Sequence, residues 1–412
     1  MQYKIEAPKT IDTIVNLPAS KSISNRALIL KALSKEIHGI DNLSNCDDTN
    51  VMVEAFEGNS NLIDVKAAGT SMRFLTAYLS RTLGDWIITG TERMKERPIN
   101  VLVDALASLG ARIEYLGKLG YPPLKIKGTA LDGGEIYLSG EVSSQFISAL
   151  LMIAPTMTKG LIIHMEGNII SVPYIRLTLG MMAQFGVKAV WEGNTIKIFP
   201  EEYKGIPYTV ESDWSAASYW YEILALAESG KVKLKGLFSD SMQGDSKVAE
   251  LFLDLGVETE FIEDGVLLTK TNRITGKMFH DFVNEPDLAQ TFAVTCCMMN
   301  IPFMFTGLQT LKIKETDRIE ALKKELKKLG FILKDSMNSI LEWDGERCIP
   351  ETAPVIKTYE DHRMAMAFAP AALRFNNLRI DKPSVVTKSY PFFWEDLKEA
   401  GFTIEEIEKE VG

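Results

Sequence analysis

Apolar residues along the chain recur every three or four positions in helical segments, and a short strand of alternating polarity follows many of these segments. In five places an amphipathic helix ends at a glycine and a strand begins at once: LVDALASLGARIEYL, LGMMAQFGVKAVW, VAELFLDLGVETEFI, ALKKELKKLGFILK and WEDLKEAGFTIEEI. The closing glycines are 76, 70, 74 and 71 residues apart: Gly110, Gly186, Gly256, Gly330 and Gly401. Glycine most readily adopts the left-handed conformation that ends a helix. With a shorter first copy ending near Gly58, the pattern predicts six units of mixed α/β structure.

A second set of helices alternates with the first, and each of them begins with polar or charged residues before an apolar run. Their predicted starts are Ser20-Lys21-Ser22, Gly69-Thr70-Ser71, Ser143-Ser144-Gln145, Asp213-Trp214-Ser215, Pro286-Asp287 and Asp361-His362-Arg363. Repeated units in one register would place these starts at equivalent positions. A helix N-terminus carries partial positive charge and free N–H groups, so the set predicts seats for phosphate or carboxylate. Taken singly, each start is also explained by ordinary helix capping.

Size and composition indicate a globular protein of two domains. The chain has 412 residues, of which 46% are hydrophobic and 24% charged, whereas single cores rarely grow beyond about 250–300 residues. A net charge of −10 argues against nucleic acid as a partner. The first ten residues have no apolar stretch, and the most apolar region, residues 292–308, is interrupted by Asn300 and Pro302. We therefore expect no secretory signal and no membrane span, and four cysteines without Cys-x-x-Cys spacing fit reduced thiols in the cytoplasm.

The segment LPASKSISNRAL carries the first candidate anion site. A strand runs into a proline turn and then a helix, with Lys21 and Ser22 at the helix start and Arg26 one turn later. Backbone N–H groups, an ammonium, a hydroxyl and a guanidinium would together hold a phosphate. The Gly-x-x-x-x-Gly-Lys frame of a Walker A loop is absent. The alternative is a capped helix with solvated cations.

Two further segments add a glycine turn and an arginine. In AAGTSMRFLTAYL, Gly69 followed by Thr70 would let the backbone approach a ligand closely. In MKERPINVLVDAL, Pro98 fits the first turn of a helix and puts Arg97 at its mouth. There a guanidinium can pair bidentately with a carboxylate or phosphate. In isolation, an ordinary charged turn is the simpler interpretation of Arg97.

Neutral donors cluster in the segments SGEVSSQFISALLM and SVPYI. Ser143, Ser144 and Gln145 offer two hydroxyls and an amide at a helix start, and Ser171 adds a further hydroxyl. Donors of this kind suit sugar hydroxyls as well as phosphate. The alternative is again helix capping.

In the C-terminal half, acidic residues lie at or near predicted helix starts, and one of them has Lys and Arg as close neighbours. Asp287 opens an otherwise apolar helix in NEPDLAQTFAV; capping explains it, but in a cleft it would accept a proton from a substrate hydroxyl. Lys314, Glu315 and Arg318 lie at the entrance of the helix in LKIKETDRIEALKKELKKLG. The alternative for Glu315 and Arg318 is a surface ion pair worth less than about 1 kcal/mol.

The remaining candidates are cationic, and no metal or cofactor site is predicted. His362 and Arg363 begin a helix of small apolar residues, and Lys388 in TKSYPFF is predicted to complete the set. The four histidines lie far apart without metal-ligand spacing. Asp47 and Asp48 are adjacent acids of the kind that is usually solvated. Neither a dinucleotide fingerprint nor a Gly-x-Ser-x-Gly elbow is present.

Together these motifs resemble the 5-enolpyruvylshikimate-3-phosphate synthase family of enolpyruvyl transferases. Between residues 17 and 391, nine segments occur in the same order as in that family: LPASKSISNRAL, AGTSMRFL, ERPI, SSQFISALL, SVPYI, PDLAQT, KETDRIEAL, DHRMAM and the Lys388 region. The resemblance implies an α/β fold of two domains, each made of three repeated β/α units arranged as an inside-out α/β barrel. It implies an N-terminal domain of residues 19–210, with most of the shikimate 3-phosphate contacts. The C-terminal domain, residues 1–18 plus 211–412, would hold the acid, the base and phosphoenolpyruvate contacts.

The resemblance also implies a reaction, in which the enolpyruvyl group of phosphoenolpyruvate moves to the 5-hydroxyl of shikimate 3-phosphate and phosphate is released. Asp287 would be the base and Glu315 the acid, with Lys21 also catalytic. Shikimate 3-phosphate would be held by Lys21, Ser22, Arg26, Ser143, Ser144, Gln145, Ser171, Asp287 and Lys314. Phosphoenolpyruvate would be surrounded by Lys21, Gly69, Arg97, Gln145, Arg318, Arg363 and Lys388, supported by Thr70 and His362. The family implies a cytoplasmic monomer in aromatic amino acid biosynthesis that needs no cofactor.

The sequence departs from the family at four positions, and three alternatives to the family's activity are open. Ala67, Phe74, Ala19 and Thr310 stand where Asn, Pro, Gly and Asn are common or recur in the family, and they leave the acid and the base in place. The sister enzyme acting on UDP-N-acetylglucosamine often has a cysteine beside its phosphoenolpyruvate site, and none lies near Arg97 in this sequence. A repeat protein used as a binding scaffold would repeat its exposed residues, whereas each helix start carries different chemistry. A relative without activity would share the architecture.

Overall fold

The protein, for which a computed structural model describes residues 1–36 and 38–408, divides into two compact units. One unit comprises Met1–Pro18 with Glu211–Gly412, and the other comprises Ala19–Val210. The chain therefore begins in the first unit, passes to the second after Pro18, and returns after Val210.

Helices are distributed over both units. In the described part of the chain the α-helices are α1 (Lys21–Leu33), α2 (Asp47–Glu57), α3 (Gly69–Arg81), α4 (Glu92–Lys95), α5 (Asn100–Ser108), α6 (Ser144–Ile153), α7 (Val172–Gln184), α8 (Trp214–Leu226), α9 (Val248–Leu251), α10 (Ala289–Met298), α11 (Arg318–Lys328), α12 (His362–Phe368) and α13 (Phe393–Glu399). Short 3-10 turns lie at Ala154–Thr156, Gly244–Lys247, Phe252–Asp254, Gln309–Ile313, Ala369–Leu373 and Pro383–Lys388.

The strands are short, as expected for β/α repeats. They are β1 (Gln2–Glu6), β2 (Thr10–Asn16), β3 (Ile40–Asp41), β4 (Leu62–Asp64), β5 (Gly84–Thr89), β6 (Arg112–Tyr115), β7 (Leu124–Gly128), β8 (Gly134–Ser139), β9 (Leu161–Glu166), β10 (Ala189–Glu192), β11 (Thr195–Ile198), β12 (Tyr208–Thr209), β13 (Ser229–Lys235), β14 (Leu255–Ile262), β15 (Gly265–Ile274), β16 (Met278–Asp281), β17 (Phe303–Thr306), β18 (Lys334–Ser336), β19 (Ile340–Trp343), β20 (Val355–Ile356), β21 (Leu378–Asp381) and β22 (Thr403–Ile407).

These strands form repeated sheets of one topology. The four-stranded sheets have the orders β4-β5-β7-β6, β8-β9-β11-β10, β2-β13-β15-β14, β16-β17-β19-β18 and β20-β21-β1-β22. In each, the first pair is parallel and the other two pairs are antiparallel. A two-stranded parallel sheet of β3 and β12 is the short first copy. The prediction of six α/β units, the first of them reduced, is confirmed.

Some helices lie in the interior of their unit, whereas the strands are partly exposed. In α10 every residue is buried, and in α8 every residue except Ser215 is buried. A helix that is apolar on all sides belongs in a core, whereas strands such as β13 alternate between buried and exposed positions. The expected inside-out α/β arrangement is thus present, and the fold class is confirmed.

The predicted helix ends are confirmed at the five repeat glycines. Each has a positive φ, between 83° and 102°: Gly110, Gly186, Gly256, Gly330 and Gly401. Only a residue without a Cβ adopts this conformation at little cost. Gly58 also follows its helix directly, but its φ of −77° is extended, so the reduced first copy ends its helix in a different way.

Four of the six predicted helix starts have a side-chain cap. Ser20, Ser143, Asp213 and Asp361 each accept a hydrogen bond from a backbone N–H of the first helical turn. The cap predicted at Asp287 is wrong, because α10 begins two residues later at Ala289.

A second correction concerns the turn that carries Arg97. Helix α5 begins at Asn100, so Pro98 precedes the helix and does not occupy its first turn. Arg97 follows the short helix α4, and its backbone N–H donates to the carbonyl of Met94. The side chain is therefore placed by the tight turn between two helices.

Burial agrees with the remaining expectations for core and cysteines. The apolar residues at helical spacing in α11 and at its C-terminal end are buried: Ile319, Leu322, Leu326 and Leu329. Cys46, Cys296 and Cys297 are buried free thiols, and Cys348 is half-buried. Within residues 1–36 and 38–408, the helices are all too short or too polar to cross a bilayer.

We expect Gly128→Ala to destabilise the unit Ala19–Val210. An added Cβ at this position would lie 1.7 Å from the carbonyl oxygen of Thr82 and 2.8 Å from that of Leu79, so the end of α3 would have to shift. Overpacking of this kind costs about 1–3 kcal/mol, which would lower Tm by several degrees in calorimetry. Gly39→Ala is the control, because its Cβ would meet nothing within 4 Å. Equal Tm values for the two variants would contradict the prediction.

Candidate active site

In the unit Ala19–Val210, side-chain contacts join the N-terminal turns of α1, α2, α3 and α6. Lys21 in α1 pairs with Asp48 in α2 at 3.3 Å, and the hydroxyl of Ser71 in α3 donates to the carbonyl of Asp48. Gln145 in α6 donates from Nε2 to the hydroxyl of Thr70 in α3 at 3.2 Å. The helix starts of this unit are therefore neighbours, and their free N–H groups are gathered at one end of the helical core.

Gly69 creates the space that Arg97 occupies. A Cβ at position 69 would lie 2.6 Å from Nη1 of Arg97, so the guanidinium rests directly against this glycine. Nε of Arg97 is buried, and no residue in the described ranges accepts a hydrogen bond from it. Arg73 fixes the surroundings by donating to the carbonyls of Gly69 and Pro98, both at 3.2 Å. A buried donor beside a helix N-terminus suits a carboxylate or phosphate ligand.

Arg26 is a brace within the same unit. Its guanidinium donates to the hydroxyls of Thr178 and Ser148 and to the carbonyls of Ser22 and Tyr174, at 2.7–3.3 Å. It thereby joins α1 to α6 and α7. Burial lowers the pKa of Arg26 to about 10. The alternative of a solvated cation is wrong for this residue, whereas its contact with a substrate stays a prediction.

The predicted hydroxyl donors lie at the starts of α6 and α7. Ser143 caps α6 through its hydroxyl, and Ser144 is the first helical residue and is buried. Ser171 precedes α7 with a φ of 54°, in the left-handed region. A residue other than glycine held in that region often marks a functional constraint. Ser22 is half-buried beside Lys21 in the first turn of α1.

In the other unit, one buried guanidinium joins three carboxylates. Arg318, with 2% of its surface exposed, donates from Nε to Asp361 at 2.7 Å, from Nη1 to Asp287 at 3.1 Å and from Nη2 to Glu315 at 2.9 Å. Burial opposes the charge on Arg318, but the attraction of Asp361, Glu315 and Asp287 outweighs it and raises the pKa. The alternative of a surface ion pair between Glu315 and Arg318 is therefore wrong.

Asp287 is surrounded by three cations. Besides Arg318, Nη2 of Arg363 donates to its Oδ2 at 2.9 Å, and Nζ of Lys314 lies 3.9 Å from its Oδ1. Its side chain keeps 18% of its surface exposed, and that of Glu315 keeps 17%. Burial, reinforced by Arg318 and Arg363, lowers the pKa of Lys314 even though Asp287 opposes this effect. The site thus contains two accessible carboxylates and a lysine whose charge is sensitive to its surroundings.

Arg363, in the first turn of α12, joins α8 to the turn before α10. In addition to Asp287, it donates to the hydroxyl of Ser215 at 3.4 Å and to that of Tyr219 at 3.3 Å. Burial raises the pKa of Tyr219 to about 12, although Arg363 opposes the change, so the phenol stays neutral near pH 7. Ser215 in turn donates to Asp245.

His362 and Lys388 lie at the edge of this cluster. His362 is buried, with Nδ1 3.9 Å from Asp361. Nζ of Lys388 donates to the carbonyl of Glu360 at 2.8 Å. Lys388 therefore reaches the turn before α12, and this hydrogen bond holds its ammonium there.

Several neighbours of these groups are not evident from the sequence. Asp48 is buried against Lys21, although adjacent acids in a turn were expected to be solvated. Ser215 belongs to a predicted helix start and Asp245 has no local signal, but the bonds that join Asp245 to Ser215 and Ser215 to Arg363 arise from long-range packing. Asp361 belongs to a predicted helix start, but its bond to Arg318 is not evident from the sequence. No group of three potential metal ligands occurs among the described residues.

Comparison with known proteins places this arrangement in a family. The family described as EPSP synthase (3-phosphoshikimate 1-carboxyvinyltransferase) matches residues 5–58 and 56–397. The chain belongs to the EPSP synthase family.

Relatives in the EPSP synthase family match nearly the whole chain. The 3-phosphoshikimate 1-carboxyvinyltransferase of Bacteroides fragilis is 58% identical over 405 residues, covering 98% of this chain and 99% of the relative. That of Aliivibrio fischeri is 37% identical and covers 94% and 97%. EPSP synthase from Acinetobacter baumannii has a similar fold, with a TM-score of 0.79, 22% identity, and coverage of 98% and 100%.

We expect Arg318→Leu to destabilise this EPSP synthase family member strongly. The substitution would leave three carboxylates without their shared guanidinium, and breaking a buried pair costs about 3–5 kcal/mol. Arg273→Leu, which removes an exposed partner of Asp254, should cost less than about 1 kcal/mol. Calorimetric Tm values of the two variants measure the difference. A loss for Arg318→Leu no larger than that of the control would show that the cluster contributes little.

Proposed function

We propose that this protein transfers the enolpyruvyl group of phosphoenolpyruvate to the 5-hydroxyl of shikimate 3-phosphate and releases phosphate. The 58% identity to a named 3-phosphoshikimate 1-carboxyvinyltransferase supports the substrates. The observation that carries the chemistry is the pair of accessible carboxylates, Asp287 and Glu315, on one guanidinium. We take the enzyme to act as a cytoplasmic monomer in aromatic amino acid biosynthesis, as the family resemblance implies.

The reaction requires one proton acceptor and one proton donor. The hydroxyl oxygen bonds to C2 of phosphoenolpyruvate while its proton leaves to a base, and C3 gains a proton from an acid. The tetrahedral intermediate then loses phosphate from C2 and a proton from C3, which restores the double bond. Asp287 is the base and Glu315 the acid in this proposal, and groups in these roles typically contribute 10²–10⁴-fold in rate.

Asp287 is proposed as the base because it is a partly accessible carboxylate placed among the cations that would bind anionic substrates. Lys314 before α11, Arg318 in α11 and Arg363 in α12 contact it. Such preorganised charges also offset negative charge that develops on the substrates, without reorganisation during the reaction. Lys314 is proposed to contact shikimate 3-phosphate as well, and Arg363 to contact phosphoenolpyruvate.

Glu315 suits the role of acid because a substrate anion can replace it as a partner of Arg318. Arg318 already donates to three carboxylates. A contact between Arg318 and phosphoenolpyruvate would therefore compete with Glu315. The side chain of Glu315 is partly exposed, whereas that of Asp361 is fully buried. A carboxylate that loses its cationic partner binds a proton more readily.

In the unit Ala19–Val210 the proposed role is anion binding. Lys21, Gly69, Arg97 and Gln145 would contact phosphoenolpyruvate, with Thr70 in support. Shikimate 3-phosphate would contact Lys21 and the set Ser22, Arg26, Ser143, Ser144, Gln145 and Ser171. The adjoining helix starts and the buried Nε of Arg97 support this assignment. In the other unit, Lys388 is proposed to contact phosphoenolpyruvate and His362 to support that contact.

The proposed function is tested by phosphate release from phosphoenolpyruvate with shikimate 3-phosphate, and with UDP-N-acetylglucosamine in parallel. We expect release only with shikimate 3-phosphate, and a loss of at least about 10²-fold in kcat for Asp287→Asn and Glu315→Gln. Glu320→Gln, an exposed acid on α11, is the control and should keep full activity. The proposal fails if the folded wild-type protein releases phosphate with neither acceptor.

We further expect Gly69→Ala to weaken phosphoenolpyruvate binding selectively. The new Cβ would overlap Nη1 and Nη2 of Arg97, so the guanidinium must move away from its ligand. A loss of about 1.4 kcal/mol in that contact would raise KM for phosphoenolpyruvate about tenfold, with KM for shikimate 3-phosphate changed much less. Steady-state kinetics with Gly39→Ala as control measure both constants. An unchanged KM for phosphoenolpyruvate would exclude Arg97 as its ligand.

A further inference from the structure

Asp245 is a buried carboxylate that none of the roles above uses. It lies in the 3-10 turn Gly244–Lys247, with 4% of its surface exposed. The hydroxyl of Ser215, in the first turn of α8, donates a hydrogen bond to its Oδ2. Its Oδ1 is buried and has no hydrogen-bond partner in the described part of the chain. A purely structural buried carboxylate normally has both oxygens satisfied.

Ser215 connects Asp245 to the cations of the active site. A hydroxyl has one proton and two lone pairs, so by giving its proton to Asp245 Ser215 keeps its lone pairs for Arg363. Nη2 of Arg363 donates to this hydroxyl at 3.4 Å and to Oδ2 of Asp287 at 2.9 Å. Asp245 thus determines the orientation of the Ser215 hydroxyl, and Ser215 in turn helps to orient the guanidinium of Arg363.

The loop before Asp245 is tied to the start of α8. Gln243 accepts a hydrogen bond from the backbone N–H of Trp214 and donates to Glu211 and to the carbonyl of Ser212. Ser241 also donates to Glu211, at 2.6 Å. The position of Asp245 relative to Ser215 is therefore fixed by several independent bonds.

The charges around Asp245 make its protonation sensitive near neutral pH. Burial and the nearby negative charge of Asp287 raise the pKa of Asp245 to about 7 against the opposing effects of Arg363 and Ser215, and Asp213 adds a smaller increase. On its own turn, Lys247 pairs with Glu250 instead.

We propose that Asp245 is a positioning residue for the transfer reaction, which acts through Ser215 to hold the Arg363 guanidinium against Asp287. This inference rests on the proposed function, in which Arg363 contacts phosphoenolpyruvate. When Asp245 is neutral, it orients Ser215 without adding charge. When Asp245 ionises, its negative charge opposes an anionic substrate at Arg363, so phosphoenolpyruvate binding weakens as pH rises through about 7.

The test compares Asp245→Ala, Ser215→Ala, the double variant and Asp245→Asn, with Asp240→Asn as control for loss of an exposed acid in the same loop. Each single alanine substitution should raise KM for phosphoenolpyruvate about tenfold. If the effect passes through Ser215, the double variant should be no more than about twofold worse than the worse single variant. Asp245→Asn keeps a hydrogen-bond acceptor for Ser215, so at pH 6.5 its KM for phosphoenolpyruvate should lie within about threefold of the wild-type value.

The pH dependence gives a second readout. KM for phosphoenolpyruvate should rise between pH 6 and pH 8.5 more steeply in the wild type than in Asp245→Asn, which has no carboxyl to ionise. A carboxyl whose pKa is raised on folding destabilises the folded protein as pH rises between its unfolded value and about 7. Between pH 5 and pH 8.5, the Tm of the wild type should therefore fall further than that of Asp245→Asn. This comparison does not require enzymatic activity.

The inference is overturned if Asp245→Ala and Asp245→Asn both match the wild type within twofold in KM, kcat and pH profile. It is equally overturned if the effects of Asp245→Ala and Ser215→Ala multiply fully in the double variant. If Asp245→Ala does not fold, the pH profile of Asp245→Asn decides. A wild-type protein that releases no phosphate contradicts the proposed function alone, and the Tm comparison then decides whether Asp245 titrates as inferred.

Discussion

The C-terminal site depends on the single guanidinium of Arg318. Its burial is unfavourable to a cation, and the three surrounding carboxylates compensate for it. Because these carboxylates come from the turn before α10, the entrance of α11 and the cap of α12, the bonds of Arg318 fix three chain segments relative to one another. The acid and the base proposed for the reaction are thus held by the same group, and neither can shift without affecting the other.

The two units solve opposite electrostatic problems with the same backbone arrangement. In each, side chains link the N-terminal ends of four helices or of the turns that lead into them. In the unit Ala19–Val210, Arg97 keeps a buried donor for a ligand, and a negative ligand would complete the site. In the other unit, carboxylates already pair with the cations, so an anionic ligand there would have to compete with Asp287 or Glu315. The repeat supplies the frame, and the residues at each helix start decide the chemistry.

Local patterns predicted the repeats, the glycine helix ends and most helix starts, because capping and periodicity act over a few residues. The fold class followed from these features and from the family resemblance. Local reasoning failed where distant residues meet. Asp287 resembled a cap but lies two residues before its helix, bound to cations from other elements. Arg318 resembled a surface partner of Glu315, and its bond to Asp361, 43 residues away, accounts for its burial.

The roles of Ser215 and Asp245 likewise depend on residues that are distant in the sequence. Ser215 is the one half-exposed residue of an otherwise buried helix, and Asp245 lies in a short turn with no periodicity of its own. Their importance arises only when packing brings both to Arg363, whose own role is visible in the sequence. Residues that contact a substrate can be inferred from their chemistry, because phosphate and carboxylate demand cations and helix starts. The substrate's chemistry does not specify the residues that orient those cations, so the three-dimensional structure is needed to identify them.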